Sequence, residues 1–234
     1  MSLLRQIQDS ASSGEVSTTI LLRKCKILSV RLASSELENW IDNELGGYSD
    51  DDKLPEYRVI PPAESKGHFI GPAGRQLRNA SIPSAVLEPM VQEAVESMSL
   101  TQALPLYEDL LRNDCTTYQI PWPSNVLVYV GRKIIPGYNC LQAWKILPRS
   151  ALVNVVETVR NRILNFALEV EGVNPEAGEA PIGSQPIADR IVHQIVHQNF
   201  YGSVGNVATA CHEFQQQSPP LGLFTAEESG EARI

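Results

Sequence analysis

The sequence predicts a mainly α-helical, bundle-like domain with a short edge β-element, followed by a flexible linker and a small β-rich C-terminal tail. Over residues 1–171, apolar residues recur at the three- and four-residue spacing of amphipathic helices. Residues 172–186 are rich in glycine and proline and contain no aromatic residue, so they cannot bury enough surface to fold alone. Residues 187–234 begin with β-branched and aromatic residues spaced by Gln, Asn and Gly, which favours short strands.

The first three predicted elements are helices. A short first helix ends near Gly14. Residues 20–32 then carry apolar side chains on one helical face and basic side chains on most of the rest. A third helix begins at Ser35, which fits a capping box with Glu38, and it ends at the glycines 46–47. Because the break between the second and third helices is short, they form an αα-hairpin.

The next segments are less regular. Residues 54–60 are bounded by prolines, which confines any strand there to a short edge piece. Residues 61–82 are rich in Gly, Pro and polar residues, and we expect an extended loop or a small irregular hairpin. Residues 86–98 keep helical spacing, but Pro89 lies inside the pattern, so the first turn is expected to be separate or kinked.

Three further helices complete the predicted domain. Residues 100–111 are amphipathic. Residues 124–132 have strand composition but no clear period, and Ser124 as a cap favours a helix. The clearest helix is predicted over 150–171, where a continuous apolar stripe follows Ser150.

Charge and composition limit the function. The formal net charge of −8 argues against a general nucleic-acid binder, although residues 23–31 carry a local basic patch. The four cysteines are far apart, which fits neither a zinc site nor a disulfide scaffold. The N-terminus lacks an apolar leader and no window is apolar enough to span a bilayer. We therefore expect a cytoplasmic protein with no membrane segment.

One polar cluster is predicted around the end of the third helix. Glu44, Tyr48, Tyr57 and Arg58 can meet across a short loop. In a binding role, Arg58 would hold a phosphate or a partner carboxylate with the tyrosines stacked on it. In a structural role, Arg58 and Glu44 would form a buried ion pair between strand and helix, which is the interpretation that the usual pairing of buried charges favours.

Other basic residues are candidates for an anion site. Arg160 and Arg162 are expected either to join the basic face that contains Arg23 and Lys24, or to lie on an exposed helix face with partners such as Glu157.

No catalytic constellation and no cofactor motif is evident. His193 and His197 are four residues apart, which places both on one face of a helix or a strand, and they are the candidate metal ligands. Gln194 stands where a zinc-protease motif needs Glu. Asp50, Asp51 and Asp52 form an acidic run that is typical of a solvated loop.

Four segments of the sequence carry a family resemblance: Leu22-Arg23-Lys24-Cys25-Lys26, Trp40-Ile41 with Glu44-Leu45 and Gly47-Tyr48, Leu54-Pro55-Glu56-Tyr57-Arg58, and the closing helix 157–171. Together they resemble the AbiTii domain, a bacterial module grouped with abortive-infection and other conflict systems. The resemblance covers roughly residues 1–171, with the middle matched loosely. It implies a mainly helical fold and a role in defence against phage, and it implies no enzymatic mechanism.

These observations lead to one main functional hypothesis and two alternatives. The main hypothesis is a non-enzymatic interaction, sensing or scaffold module of an anti-phage system, a homo-oligomer with an effector or a phage protein as its partner and no role for membranes or nucleic acid. Self-association is expected through the tail, with Phe200, Tyr201, Val204 and Val207 as its contact residues. The alternatives are a cryptic metal-dependent nuclease or nucleotide hydrolase, and a sensor of a small anionic nucleotide signal.

Overall fold

The computed structural model describes residues 1–60 and 64–201. Eight α-helices lie within these residues: α1 (Leu3–Ser12), α2 (Thr18–Arg31), α3 (Ser35–Gly46), α4 (Pro89–Glu96), α5 (Leu104–Leu110), α6 (Ser124–Val130), α7 (Arg149–Val173) and α8 (Asp189–Val196). The strands described are β1 (Val59–Ile60), β2 (Ser65–Ile70), β3 (Gln76–Ile82), β4 (Met98–Ser99), β5 (Thr117–Pro121) and β6 (Asn139–Pro148). None of the described helices combines the length and the apolar character needed to cross a bilayer.

The helical part of the molecule has one core. It collects the buried faces of α1, α2, α3, α5, α7 and α8. The predicted first helix, the αα-hairpin and the long seventh helix are confirmed at nearly the expected bounds. The N-cap of α3 is Ser34 rather than Ser35, because the Ser34 hydroxyl accepts from the backbone N–H of Leu37. Gly47 ends α3 with a φ of 95°, a conformation that glycine adopts without strain.

The second part is a β-sheet, and the prediction of a mainly α-helical bundle with a single short edge element is therefore wrong. The strands β3, β2, β6 and β5 form a four-stranded antiparallel sheet in that order. The sheet has its own core cluster, to which α4 and α6 contribute Val91, Val95 and Val130. The short strand predicted in 54–60 does form, as β1, and it pairs with β4 in a separate two-stranded sheet. The fold is a mixed α/β arrangement.

The residues of β2 explain why the sheet escaped prediction. Its inward positions are Ser65, Gly67 and Phe69, so two of the three buried side chains are small and carry no hydrophobic signal. A Cβ on Gly67 would lie 2.8 Å from the carbonyl oxygen of Gln142 on β6, so this strand needs glycine for close pairing. For residues 61–82 the sequence predicted either an extended loop or an irregular hairpin. The second alternative describes the pairing of β2 with β3, which is antiparallel with a register shift.

Two ambiguous segments have the predicted structure. Residues 124–130 form the helix α6. Pro89 stands in the first turn of α4, and Ser84–Val86 form a separate 3-10 turn before it.

The described part of the predicted β-rich tail is helical. Residues 189–196 form α8 and His197–Tyr201 continue it as a turn of π-helix. Val192, Ile195, Val196 and Phe200 are buried, and their three- and four-residue spacing is that of a helix rather than a strand. The β-branched composition of this segment suggested strands, but the segment packs against α3 and α7 as a helix. Val204 and Val207 lie outside the described residues.

The predicted linker, residues 172–186, contributes to the core. Ala177 is fully buried, and the 3-10 turn Ala177–Glu179 contacts α1 and α2. The division of the chain into functional parts at residues 171 and 187 stays a prediction.

Candidate functional site

A concave surface of the helical part lies along α2. This helix turns Leu21, Leu22, Cys25 and Leu28 into the core. A second stripe points outward and is formed by Arg23, Lys26, Ile27, Val30 and Arg31. These positions are i, i+3, i+4, i+7 and i+8, so they share one face of the helix. Ile27 is 52% exposed and Val30 is 39% exposed, so the outward face carries apolar side chains as well as cations.

The opposite wall is the segment after the 3-10 turn, residues 179–182. Gly178 fixes it to α1, because a Cβ at this position would lie 2.9 Å from the backbone nitrogen of Leu4. Glu179 Oε1 accepts from the backbone N–H of Leu3 at 2.9 Å, which places a carboxylate at the N-terminus of α1. The wall ends in Ile182, whose side chain is 77% exposed.

Between these walls is a groove of about 650 Å³, which we call the α2 groove. Its lining is Arg23, Lys26, Ile27, Val30, Arg31, Glu179, Ala180, Pro181 and Ile182. Such a volume is in the usual range of ligand pockets, about 300–1,000 Å³. Its exposed apolar lining distinguishes it from an ordinary solvated helix face.

The charges of the α2 groove are incompletely paired. Lys26 bonds to Asp42 on α3, and this hydrogen bond raises the pKa of the lysine. Glu179 is already bonded to α1. The Nη1 atom of Arg31 is buried and has no hydrogen-bond partner among the described residues. Because Nη1 is shielded from solvent, it is not itself a contact for an occupant, and an exposed cation on this face is Arg23.

The four residues of the predicted polar cluster do come together, but in the interior. Glu44 and Arg58 are both fully buried. Arg58 Nη2 and Nε donate to the two oxygens of Glu44 at 2.6 and 3.0 Å, and Arg58 Nη1 donates to the carbonyl oxygens of Leu100 and Gln102. The Arg58 guanidinium thus donates to acceptors within the chain. This is the structural role that the sequence favoured.

The tyrosines complete this cluster. The hydroxyls of Tyr48 and Tyr57 donate to Glu44 Oε1 at 2.8 and 2.6 Å, and Trp40 Nε1 donates to Tyr57. Burial, followed by the nearby Glu44 charge, raises the pKa of both phenols well above their usual range. Burial alone would lower the pKa of Arg58, but its bonds to Glu44 outweigh that effect and the pKa is raised.

The remaining predicted cations are separated from the α2 groove. Arg160 donates to the carbonyl oxygens of Ser10, Ser13 and Val16, so it ties α7 to the end of α1 and the start of α2. Arg162 donates to the carbonyl oxygen of Asn199 and lies over the ring of Tyr57. Lys24 turns towards α1 and donates to Ser10. Arg23 is thus the predicted binding residue that lines the α2 groove. Arg160 Nε also lies 3.8 Å from Glu157 Oε1, the partner expected from the sequence.

The histidines and the acidic run make structural contacts. His193 Nδ1 lies 2.7 Å from Glu36 Oε2, and the rings of His193 and His197 are 6.1 Å apart. Within residues 1–60 and 64–201, no group of three His, Cys, Asp or Glu side chains is placed to hold a metal ion. Asp52 accepts from the backbone and hydroxyl of Ser49, as in a loop turn.

Sequence reasoning missed most of the α2 groove. Ile27, Val30, Arg31 and Ile182 were not among the candidate site residues. A signal was present, because Ile27 and Val30 lie on the side of an amphipathic helix that should be polar. Ile182 could not be connected to them without knowing that Gly178 packs against α1.

The sequence matches a known family model. The model of the AbiTii family matches residues 2–196, which include the eight described α-helices but not the π-helical turn His197–Tyr201. No curated protein and no solved structure matches the chain significantly.

Proposed function

This chain belongs to the AbiTii family, and we propose that it acts as a non-enzymatic interaction and sensing module that recognises a partner in the α2 groove. Membership of this family indicates a protein of abortive infection or related defence. The proposal concerns what the chain contributes to such a system: it binds rather than converts.

One observation carries this proposal, namely the exposed apolar side chains that face each other across the α2 groove. Ile27 and Ile182 approach from opposite walls and are 52% and 77% exposed. Exposed apolar surface rimmed by charged residues is typical of an interaction site. Arg58 and Arg160, two other predicted binding residues, support the choice of the α2 groove indirectly, because they already donate hydrogen bonds to acceptors within the chain.

We also propose that residues after Tyr201 carry self-association, with Val204 and Val207 as contacts. Phe200 is unsuited to that role, because it is buried against Trp40 at 4.1 Å between ring centroids. Tyr201 donates to the carbonyl oxygen of Glu36, which commits it to α3 of the same chain. The composition of 204–207 supports strand addition between copies.

A phage challenge of cells that carry the protein tests the recognition role. Ile27→Glu places a charge in the apolar part of the α2 groove, and we expect it to lose the protection that the wild-type chain gives. Val128→Glu is the matched control, because Val128 is 88% exposed on α6 and lies away from the groove. Both purified variants should melt like the wild type, since neither side chain is buried.

Two results would contradict the proposal. One is full protection by Ile27→Glu. The other is hydrolysis of RNA, DNA or NAD by the purified chain, if the variants that hydrolyse faster also protect cells better. Such a correlation would make the protein an enzyme.

A further inference from the structure

We infer that the occupant of the α2 groove is an acidic amphipathic helix of a partner protein. This inference rests on the proposed function, which makes the α2 groove a recognition surface, and it specifies the chemistry of the partner.

The shape of the apolar lining favours a helix over a small molecule. Ile182 and Ile27 are 77% and 52% exposed, so the apolar surface lies open along the groove, as in grooves that take a helix. The outward stripe of α2 runs from Arg23 to Arg31, which at about 1.5 Å per residue is about 12 Å, or two helical turns. A partner helix can match this length with apolar anchors at positions i, i+3 or i+4, and i+7.

The charges specify the sign of the partner. Asp42 is paired with Lys26, where the Glu38 charge also acts, and Glu179 is bonded to Leu3. Arg23 is exposed at one end of the stripe, and Arg31 at the other end has the buried Nη1 atom without a described partner. A carboxylate at each end of the docked helix would lie close to these two guanidinium groups and be attracted by their charge.

The same features disfavour two other anionic occupants. An anionic membrane presents a broad surface, whereas the exposed apolar atoms lie inside a concave groove. A nucleic acid is disfavoured because the groove lining contains no aromatic residue on which a base could stack.

The inference is tested with designed helical peptides and the full-length chain. Each peptide has about 18 residues, five turns of helix, with the same leucine face. The polar face carries Glu in one peptide, Lys in the second and Gln in the third. Fluorescence anisotropy at low and high salt gives the three affinities. We expect the Glu peptide to bind about tenfold more tightly than the Gln peptide at low salt, with the difference reduced at high salt and no binding of the Lys peptide.

Variants locate the binding. Arg23→Glu should weaken the Glu peptide about tenfold and restore binding of the Lys peptide. Because Arg23 is exposed, this variant should remain folded. Arg75→Glu is its matched control: Arg75 is equally exposed, lies in the β2–β3 hairpin and should leave all affinities unchanged. Ile27→Glu should abolish binding, and Val128→Glu should not.

Several outcomes would overturn the inference. It fails if the three peptides bind equally, if Arg23→Glu leaves the preference unchanged, or if anionic vesicles or single-stranded DNA bind in an Arg23-dependent manner while the Glu peptide does not. A failure here is distinct from failure of the proposed function. If Ile27→Glu loses phage protection but no acidic peptide binds, the α2 groove recognises something else; if Ile27→Glu protects fully, the recognition role itself is wrong.

Discussion

At the scale of single residues, the pair Glu44–Arg58 shows how much of this fold depends on one buried ion pair. Both side chains are fully buried, and the carboxylate accepts from Arg58, Tyr48 and Tyr57. Removing two charges from water is costly, and only complete hydrogen bonding offsets that cost. The cluster joins α3 to the segment around Leu100, so its loss would separate elements that are far apart in sequence.

We expect Glu44→Gln to lower the free energy of unfolding by about 3–5 kcal/mol, because it leaves the Arg58 charge buried without its counter-ion. Urea denaturation followed by circular dichroism measures this. The control is Arg112→Gln, which removes the highly exposed pair with Asp109 and should leave the midpoint nearly unchanged. A Glu44→Gln midpoint equal to that of the control would show that the pair does not stabilise the fold.

The buried phenol of Tyr48 makes stability sensitive to alkaline pH. Its pKa in the folded state is raised above the ordinary value of 10.0 by burial and by the Glu44 charge. The folded state therefore holds this proton more tightly than the unfolded state. As a result, the contribution of Tyr48 to the free energy of unfolding is fully present below pH 10.0 and decreases as the pH rises above that value.

The pH range from about 9 to about 11 brackets the ordinary tyrosine pKa. Across this range, Tyr48→Phe should lose less stability than the wild type. Thermal melts across this pH range give the comparison. Tyr129→Phe, which removes an exposed phenol, is the control and should keep the wild-type slope. Identical slopes for Tyr48→Phe and the wild type would contradict this prediction.

At the scale of elements, α8 is held by an aromatic cluster. Phe200 lies 4.1 Å from Trp40 and 5.3 Å from Phe166 between ring centroids, so it joins α8 to α3 and α7. His193 and Tyr201 add contacts to Glu36 at the start of α3. The end of the described chain is therefore part of the helical core.

Phe200→Ala should cost about 3–5 kcal/mol of unfolding free energy, because it removes a buried aromatic side chain from a core contact. Chemical denaturation is the measurement, and Val128→Ala on the exposed face of α6 is the control. If Phe200 instead served association between copies, its replacement would change the solution mass while leaving the unfolding midpoint of the dissociated chain unchanged.

The elements also show what the sequence could and could not predict. Helices such as α2 and α7 were predictable because their apolar stripes are long, although α7 begins after Pro148 without a side-chain cap. The sheet was not, because inward positions such as Ser65 and Gly67 are not apolar and therefore give no alternation. The Glu44–Arg58 pair was predictable from the rule that buried charges are paired. The α2 groove was not, since its two walls come from segments about 150 residues apart that only the packing of Gly178 on α1 brings together.

At the scale of the whole molecule, the described residues belong to one compact unit. Tyr201 is its last described residue. Val204 and Val207, the proposed contacts for self-association, follow Tyr201 in the sequence.

A chain that ends after Tyr201 should be monomeric with the thermal stability of the full chain, whereas the full chain should be a defined oligomer. Light scattering after size-exclusion chromatography gives both masses. A chain that ends at residue 175 is a second comparison, and it should unfold at lower temperature because it lacks Ala177, α8 and Phe200. Equal oligomeric mass for the full chain and the chain ending after Tyr201 would place the contact between copies on the helical part.

The bond between Leu3 and Glu179 has a consequence for biosynthesis. Its two ends are 176 positions apart in the chain, and α1 also packs along α7. A ribosome that adds about 5–20 residues per second needs on the order of ten to thirty seconds to make this stretch. For most of that time α1 has α2 beside it but lacks its contacts with α7 and with residues 178–179. The wall of the α2 groove is put in place by the same late contacts. A nascent or prematurely terminated chain therefore has no complete groove, and recognition becomes available only after translation has passed residue 182.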